Sequence, residues 1–351
     1  MLTTIPQNNL FDLQPWVGQR SSTFRFSLRN GLTGEHLGTI TPLRNATLSH
    51  STSSTIKRRL NIDLGVIDTA VINPLTDRVV VEMVLGDGST WPLGRYMFTD
   101  QTSVIHTSGT LSNVVLNDEM FLVDQEIIVG YDASGKSTDQ AYRELLEGLP
   151  VTLKVNASNG FSMSQSWGVG TNRGTILDAL AVTGDYFSPW FGNDTFMHLV
   201  RSFNPADQVP QFDWDSGNQV IRNGITDSSN VLTAPNRFVV ISNTNAGSGP
   251  VVGIATVPPA APNSFANRGF YITQTQTLQL TDPSQAAAVA NGLANRQTIY
   301  ETVTVDTAND PRHDSYDVIF WRGSFWLELA WTINMTAGGT MSHTLRKGYA
   351  A

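Results

Sequence analysis

The chain has 351 residues, enough for a substantial hydrophobic core and for two or more domains. It contains no cysteine, which excludes disulfides, thiolate nucleophiles and cysteine-ligated zinc. The 22 basic and 30 acidic side chains leave a formal net charge of −8, which offers no global attraction to nucleic acid, and charged residues make up only 15% beside abundant Thr, Ser, Asn and Gly, a mixture that favours a mostly β protein of short strands.

The start, MLTTIPQNNLFDLQPW, has neither a basic nor an apolar targeting region, and no apolar run approaches the length of a membrane span, so a soluble protein made in a cytoplasm is expected. After an irregular lead to about residue 21, Phe24, Phe26 and Leu28 alternate as a strand, Asn30-Gly31 supplies a hairpin turn, and 37–43 forms the return. Ile56, Leu60, Ile62 and Leu64 fall on even positions with Lys57, Arg59, Asn61 and Asp63 between them, the period-two pattern of a strand with one buried face. Arg58 is the one misfit on the apolar side. A β-branched run at 79–85, turn residues at 86–89 and a returning strand at 91–98 form a hairpin. Pro92 belongs at an edge or at the strand's beginning, because it has no N–H for a ladder. A further strand covers 110–116, and Asn117-Asp118-Glu119 breaks the pattern.

From 126 the character changes to an inserted α+β subdomain. A short helix at 138–146 is capped by Ser137 or Thr138 and ended by Gly148 and Pro150. A strand follows at 151–155, then a helix at 171–182 with Ile176, Leu177, Leu180 and Ala181 at helical spacing and Gly184 just beyond. Tyr186, Phe187, Trp190 and Phe191 read as core where the insertion rejoins the sheet. Residues 195–233 read as strands returning to the first domain, and 238–241 as a clear strand. The segment 243–267, dense in Gly, Pro, Ala, Ser and Asn, reads as loops around one short strand at 251–255. A third helix opens with Asp282 as cap and Pro283 at its first position and runs to about 298, interrupted by Gly292. The tail returns to β at 299–305, 316–321, 325–334 and 341–345.

Few motifs carry chemistry. Gly130, Gly135, Lys136 and Ser137 in GYDASGKS match the phosphate-binding pattern G-x-x-x-x-G-K-[ST] and precede a helix. In such a site the loop N–H groups cradle phosphates, the lysine neutralises them and the hydroxyl holds magnesium. Here the following helix is short, no parallel βαβ series surrounds it, and no long apolar strand ends in a suitable aspartate. The match therefore reads as an ordinary loop leading to a helix cap, and no cofactor is expected. Asp213-Trp214-Asp215-Ser216-Gly217 begins like a calcium loop but lacks its third oxygen ligand, with Gly224 where the glutamate belongs, so it reads as a turn. Histidines 36, 50, 106, 198, 313 and 343 are scattered with no pair at metal-ligand spacing, and no metal site or catalytic set is selected. Lys57-Arg58-Arg59, a tight basic cluster, reads as a solvated or interface-facing strand segment. Trp321, Trp326 and Trp331 read as core or interface, with sugar stacking as the alternative.

Two segments, RNATLSHSTSSTIKRRLNIDL (44–64) and NPLTDRVVVEMVLGDGSTWPLGRYMFTD (73–100), resemble the amino-terminal region of tail-tip hub proteins of long-tailed bacteriophages, often labelled minor tail proteins. In that group an Asp-Arg pair opens a strand, an Asp-Gly turn follows, and a Pro-Leu-Gly-x-aromatic strand comes back. Asp77-Arg78, Asp87-Gly88 and Pro92-Leu93-Gly94-Arg95-Tyr96 fill those places, and the ending GGTMSHTLRKG (338–348) resembles the group's close.

The resemblance implies a non-enzymatic virion protein, assembled in the host cytoplasm. It would be a homotrimeric hub closing the distal tail tube, matching a six-fold tube to a three-fold tip, acting as conduit or gate for DNA ejection and anchoring fibres. The implied fold is mainly β with an α+β insertion: two tube-like antiparallel β-barrel domains and a smaller inserted subdomain. The first barrel would take 1–125 with return strands at about 195–235, the insertion 126–194, and the second barrel 236–351 with a loop-rich segment and a helix at about 282–298. Implied partners are the distal tail protein, the tape-measure protein and tail fibre or receptor-binding proteins, with DNA only in transit along an acidic wall that lacks phosphate clamps. Alternatives are a hexameric distal tail ring protein, a tail-tip carbohydrate-binding module, and a nucleotide hydrolase built on 130–137.

Overall fold

A computed structural model describes residues 22–42, 46–64, 72–106, 109–158, 160–216, 220–242, 250–280, 282–297, 301–336 and 338–349. The expected lead to residue 21, the end of the return at 43, Gly217 of the acidic turn, the 243–249 part of the loop-rich segment and positions 298–300 lie outside them.

Seven strands open the chain: β1 (Ser22–Asn30), β2 (His36–Ile40), β3 (Ala46–Ser51), β4 (Arg58–Leu64), β5 (Asp77–Leu85), β6 (Thr90–His106) and β7 (Gly109–Asn117). Their alternation puts Phe26, Leu28, Leu48, Leu60, Ile62, Val79, Val81 and Met83 into one core. Every pairing among them is antiparallel, in the order β3-β4-β7-β6-β5-β1-β2. Pro92 lies near the beginning of β6, before the ladder to β7 starts at Met97. Beside it Gly94 takes φ +111° where the β5–β6 register shifts, a backbone that suits glycine.

The chain then leaves the sheet for α1 (Met120–Val123), β8 (Tyr131–Asp132), α2 (Thr138–Leu145), β9 (Leu153–Val155), β10 (Ser166–Trp167), α3 (Arg173–Thr183), β11 (Trp190–Phe191) and β12 (Met197–Leu199). Both expected helices form. Ala141, Tyr142 and Leu145 of α2 share a core with Ile176, Leu177 and Leu180 of α3, and the Tyr142 hydroxyl donates to the Leu177 carbonyl at 2.6 Å. Tyr186, Phe187, Trp190 and Phe191 are all buried.

The remainder comprises β13 (Phe212–Asp213), β14 (Val220–Ser229), β15 (Arg237–Ser242), β16 (Val252–Thr256), α4 (Phe265–Arg268), β17 (Thr273–Leu278), α5 (Pro283–Gln297), β18 (Glu301–Ala308), β19 (Val318–Trp321), β20 (Ser324–Asn334) and β21 (Thr340–Lys347). The strands expected at about 195–235 do not pair back onto the first seven. β12 pairs with β9 and β11, β13 with β19, and β14 with β18. The reason is packing: Phe212 and Trp214 fill the core beneath the C-terminal strands, together with Val303, Val305, Trp321, Trp326 and Leu345. Within the region expected to form a second barrel, β16-β15-β17 is a separate small sheet covered on one face by α5. Phe238, Val240 and Ala255 pack there on Ala286, Val289, Ala290 and Leu293. The approach is close: a Cβ on Gly253 would stand 2.1 Å from the Ala286 carbonyl oxygen.

One strand joins the two halves. β20 pairs with β21 on one side and β3 on the other, so a single 13-stranded sheet runs β14-β18-β21-β20-β3-β4-β7-β6-β5-β1-β2 with β13 and β19 branching from β20. A bulge between Glu328 and Ala330 reverses the phase of β20. Trp326 and Glu328 are buried on one side of it, Trp331 and Ile333 on the other, so Trp326 serves the C-terminal core while Trp331 and Ile333 serve the N-terminal one. The chain is mainly β, as its composition implied, with α+β insertions at the helices its sequence marked.

Candidate functional site

The loop at 130–137 is held by its own neighbours. Tyr131 and Asp132 form β8 against β10, Gly135 takes φ +78°, and the Ser137 hydroxyl accepts the Gln140 N–H as the cap of α2. Lys136 donates to Glu144 at 2.6 Å and lies 4.7 Å from the centre of the Tyr131 ring. The Asp213 carboxylate accepts the N–H groups of Asp215 and Ser216, and Asp215 accepts those of Arg322 and Gly323, as in a turn between strands. Trp321 and Trp326 are 6% exposed and Trp331 1%, so none of the three offers a face for sugar stacking.

The basic cluster is not a solvated segment. Arg59 is exposed, but Lys57 and Arg58 are buried, and each ties the first sheet to another part of the chain. Lys57 donates to the carbonyls of Thr52 and Ser54 and to the Ser188 hydroxyl at 2.9 Å, which itself donates to Asp178 on α3. Arg58 donates to Asn193 at 2.6 Å and to Asp314 at 2.5 Å. Asp314 also accepts the indole N–H of Trp190, and the Asn193 amide donates to the carbonyls of Pro311 and His313. Sheet, insertion and C-terminal loop thus meet on one guanidinium, whose desolvation is offset by charge-assisted hydrogen bonds. The signal was the inward phase of Arg58 on its strand.

A second buried cluster lies under the C-terminal strands. Glu328 on β20 accepts from His313 Nδ1 at 2.7 Å through one carboxylate oxygen and lies 2.5 Å from His343 Nδ1 through the other. These three ligand-type atoms lie within 4.8 Å of one another, the one such group among the described residues. Phe212 stacks on the His313 ring at 3.9 Å and Trp214 meets both imidazoles edge-on. Burial opposes the charge on Glu328, but the two imidazoles outweigh it and hold the carboxyl down to about 2. Burial pulls His343 down; His313, where Glu328 outweighs burial, is pushed up. Burial and then Glu328 lift nearby Asp317 up to about 8. Asp310 is held below the usual carboxylate range, burial being outweighed by Arg312, which bonds it at 2.5–3.1 Å. Spacing in sequence could not reveal this group, since 15 residues separate each histidine from the glutamate. The available signal was Glu328 inside the apolar run FWLELAW and His343 in phase with Met341 and Leu345.

No protein-family model and no curated protein matches this sequence. Solved structures do. The 43 kDa tail protein of prophage MuSo2 from Shewanella oneidensis aligns over 92% of this chain and 98% of its own, with a TM-score of 0.60 and 11% identity. A tail protein from Neisseria meningitidis aligns over 92% and 96%, with a TM-score of 0.62 and 12% identity. Prophage tail protein gp18 from Listeria monocytogenes aligns over 92% and 94%, with a TM-score of 0.58 and 8% identity. At these identities the likeness is one of architecture, and the chain carries the fold of phage tail proteins.

Proposed function

We propose that the chain is a structural protein of a phage tail tip, a trimeric hub that closes the distal end of the tail tube. The observation that carries this reading is the extent of the likeness, which spans 92% of this chain and at least 94% of each counterpart. Surface chemistry supports it. Ile128 and Val129 stand 89% and 72% exposed on the segment bonded to that of Val169, and Phe265 stacks on Tyr271 with Phe270 close by, all partly bare. Exposed apolar groups of this kind suit a protein whose ligands are neighbouring subunits.

In this reading the N-terminal strands form one wall unit, and 212–229 with 301–347 the other. Three chains then present six units to a six-fold tube and a three-fold face below. The distal tail protein, the tape-measure protein and receptor-binding fibres are the neighbours, DNA passes in transit, and the net charge of −8 gives its phosphates little to hold. The loop at 130–137 serves as a helix cap, and the protein has no enzymatic role. Immunogold labelling of intact particles tests the placement: label at the distal tail end is expected, and label on the head or along the tube shaft would overturn it.

A further inference from the structure

We propose that His313, Glu328 and His343 form a structural binding site for one divalent transition-metal ion, with zinc the best match to the donor set. Two imidazoles and a carboxylate converge from the 309–317 loop, β20 and β21, with exposures of 2%, 0% and 0%. Zinc takes nitrogen and carboxylate oxygen at ~2.0–2.2 Å, which these atoms, within 4.8 Å of one another, reach with roughly an ångström of ring movement.

The hydrogen bonding around His343 points the same way. The Thr307 hydroxyl donates to the Ala308 carbonyl at 2.9 Å and lies 2.8 Å from His343 Nε2. A hydroxyl has one proton, so both contacts are made only when His343 Nε2–H donates to Thr307. In the neutral ring that tautomer turns the Nδ1 lone pair toward Glu328, the arrangement in which the two side chains can ligate one cation. Metal-ligating histidines characteristically donate their far N–H in this way. A second, half-buried carboxyl, Asp317, stands 4.0 Å from His313 Nδ1. Phe212 and Trp214 pack against the imidazoles, which suits an ion enclosed as the chain folds.

The test is to produce the untagged full-length chain in zinc-supplemented and in cobalt-supplemented medium, and to measure metal by mass spectrometry after gel filtration. About one ion per folded chain is expected, together with the visible absorption of nitrogen- and oxygen-ligated cobalt. His343→Gln should abolish it. Thr307→Val, which keeps all three ligands, should weaken retention against a chelator by roughly 10–100-fold. Folded wild-type protein with under about a tenth of an ion per chain overturns the proposal whether or not the variants fold, as does undiminished metal in His343→Gln.

Discussion

Arg58 shows what one side chain holds together. Arg58→Met keeps the aliphatic length but leaves Asp314 and Asn193 without their buried donor. Breaking a buried pair from one side costs about 3–5 kcal/mol, so denaturant midpoints should fall sharply. Arg59→Met, on the exposed side of the same strand, should change stability by under about 0.5 kcal/mol. Similar midpoints for the two variants would contradict the burial-based account. Beside Arg58, burial lifts Asp118 up to about 6, against the N–H groups of Arg58 and Met120 that favour its charged form. A carboxyl raised above its ordinary value of 3.8 binds its proton more tightly in the folded state. Its contribution to stability therefore falls as pH rises from about 4 to about 6 and is absent above that. Asp118→Asn removes this slope, so the melting temperature of the variant relative to the parent should climb across that window. A difference that does not vary with pH would show that Asp118 does not titrate there.

At the scale of elements, the legible parts were those whose signals are local. α2, α3 and α5 follow from caps and helical spacing, and the β5–β6 hairpin from its turn residues. β17 was missed because TQTQTL has no apolar alternation until its last residue; its ladder to β15 makes it a strand. The partners of β13 and β14 were misassigned because pairing is settled by which core needs Phe212 and Trp214, a long-range choice. Arg58 stood out in its strand but its acid partner lies 256 positions away. The small sheet offers its own test. Gly253→Val drives a branched side chain into the backbone of α5, at a cost of roughly 1–3 kcal/mol. Hydrogen exchange should show protection lost in α5 and β16 while β3–β7 stay protected; uniform loss would mean that the small sheet is not a separate core. The 130–137 loop is tested by calorimetric titration with magnesium-ATP, where no heat of binding is expected and micromolar binding would restore the nucleotide reading.

For the whole molecule, the continuous sheet is the feature that bears on assembly. β20 is shared by both cores, so the N- and C-terminal strand sets are held at a fixed relation by backbone ladders. A rigid pair of units is what a three-fold ring needs to meet a six-fold tube with closed contacts. The copy number of this chain in an intact tail, counted by quantitative mass spectrometry against the tube protein of known ring stoichiometry, tests that claim directly. The account predicts three copies per tail, with three-fold density at the tip in electron cryomicroscopy; six copies in a ring would identify a distal tail ring instead and contradict it.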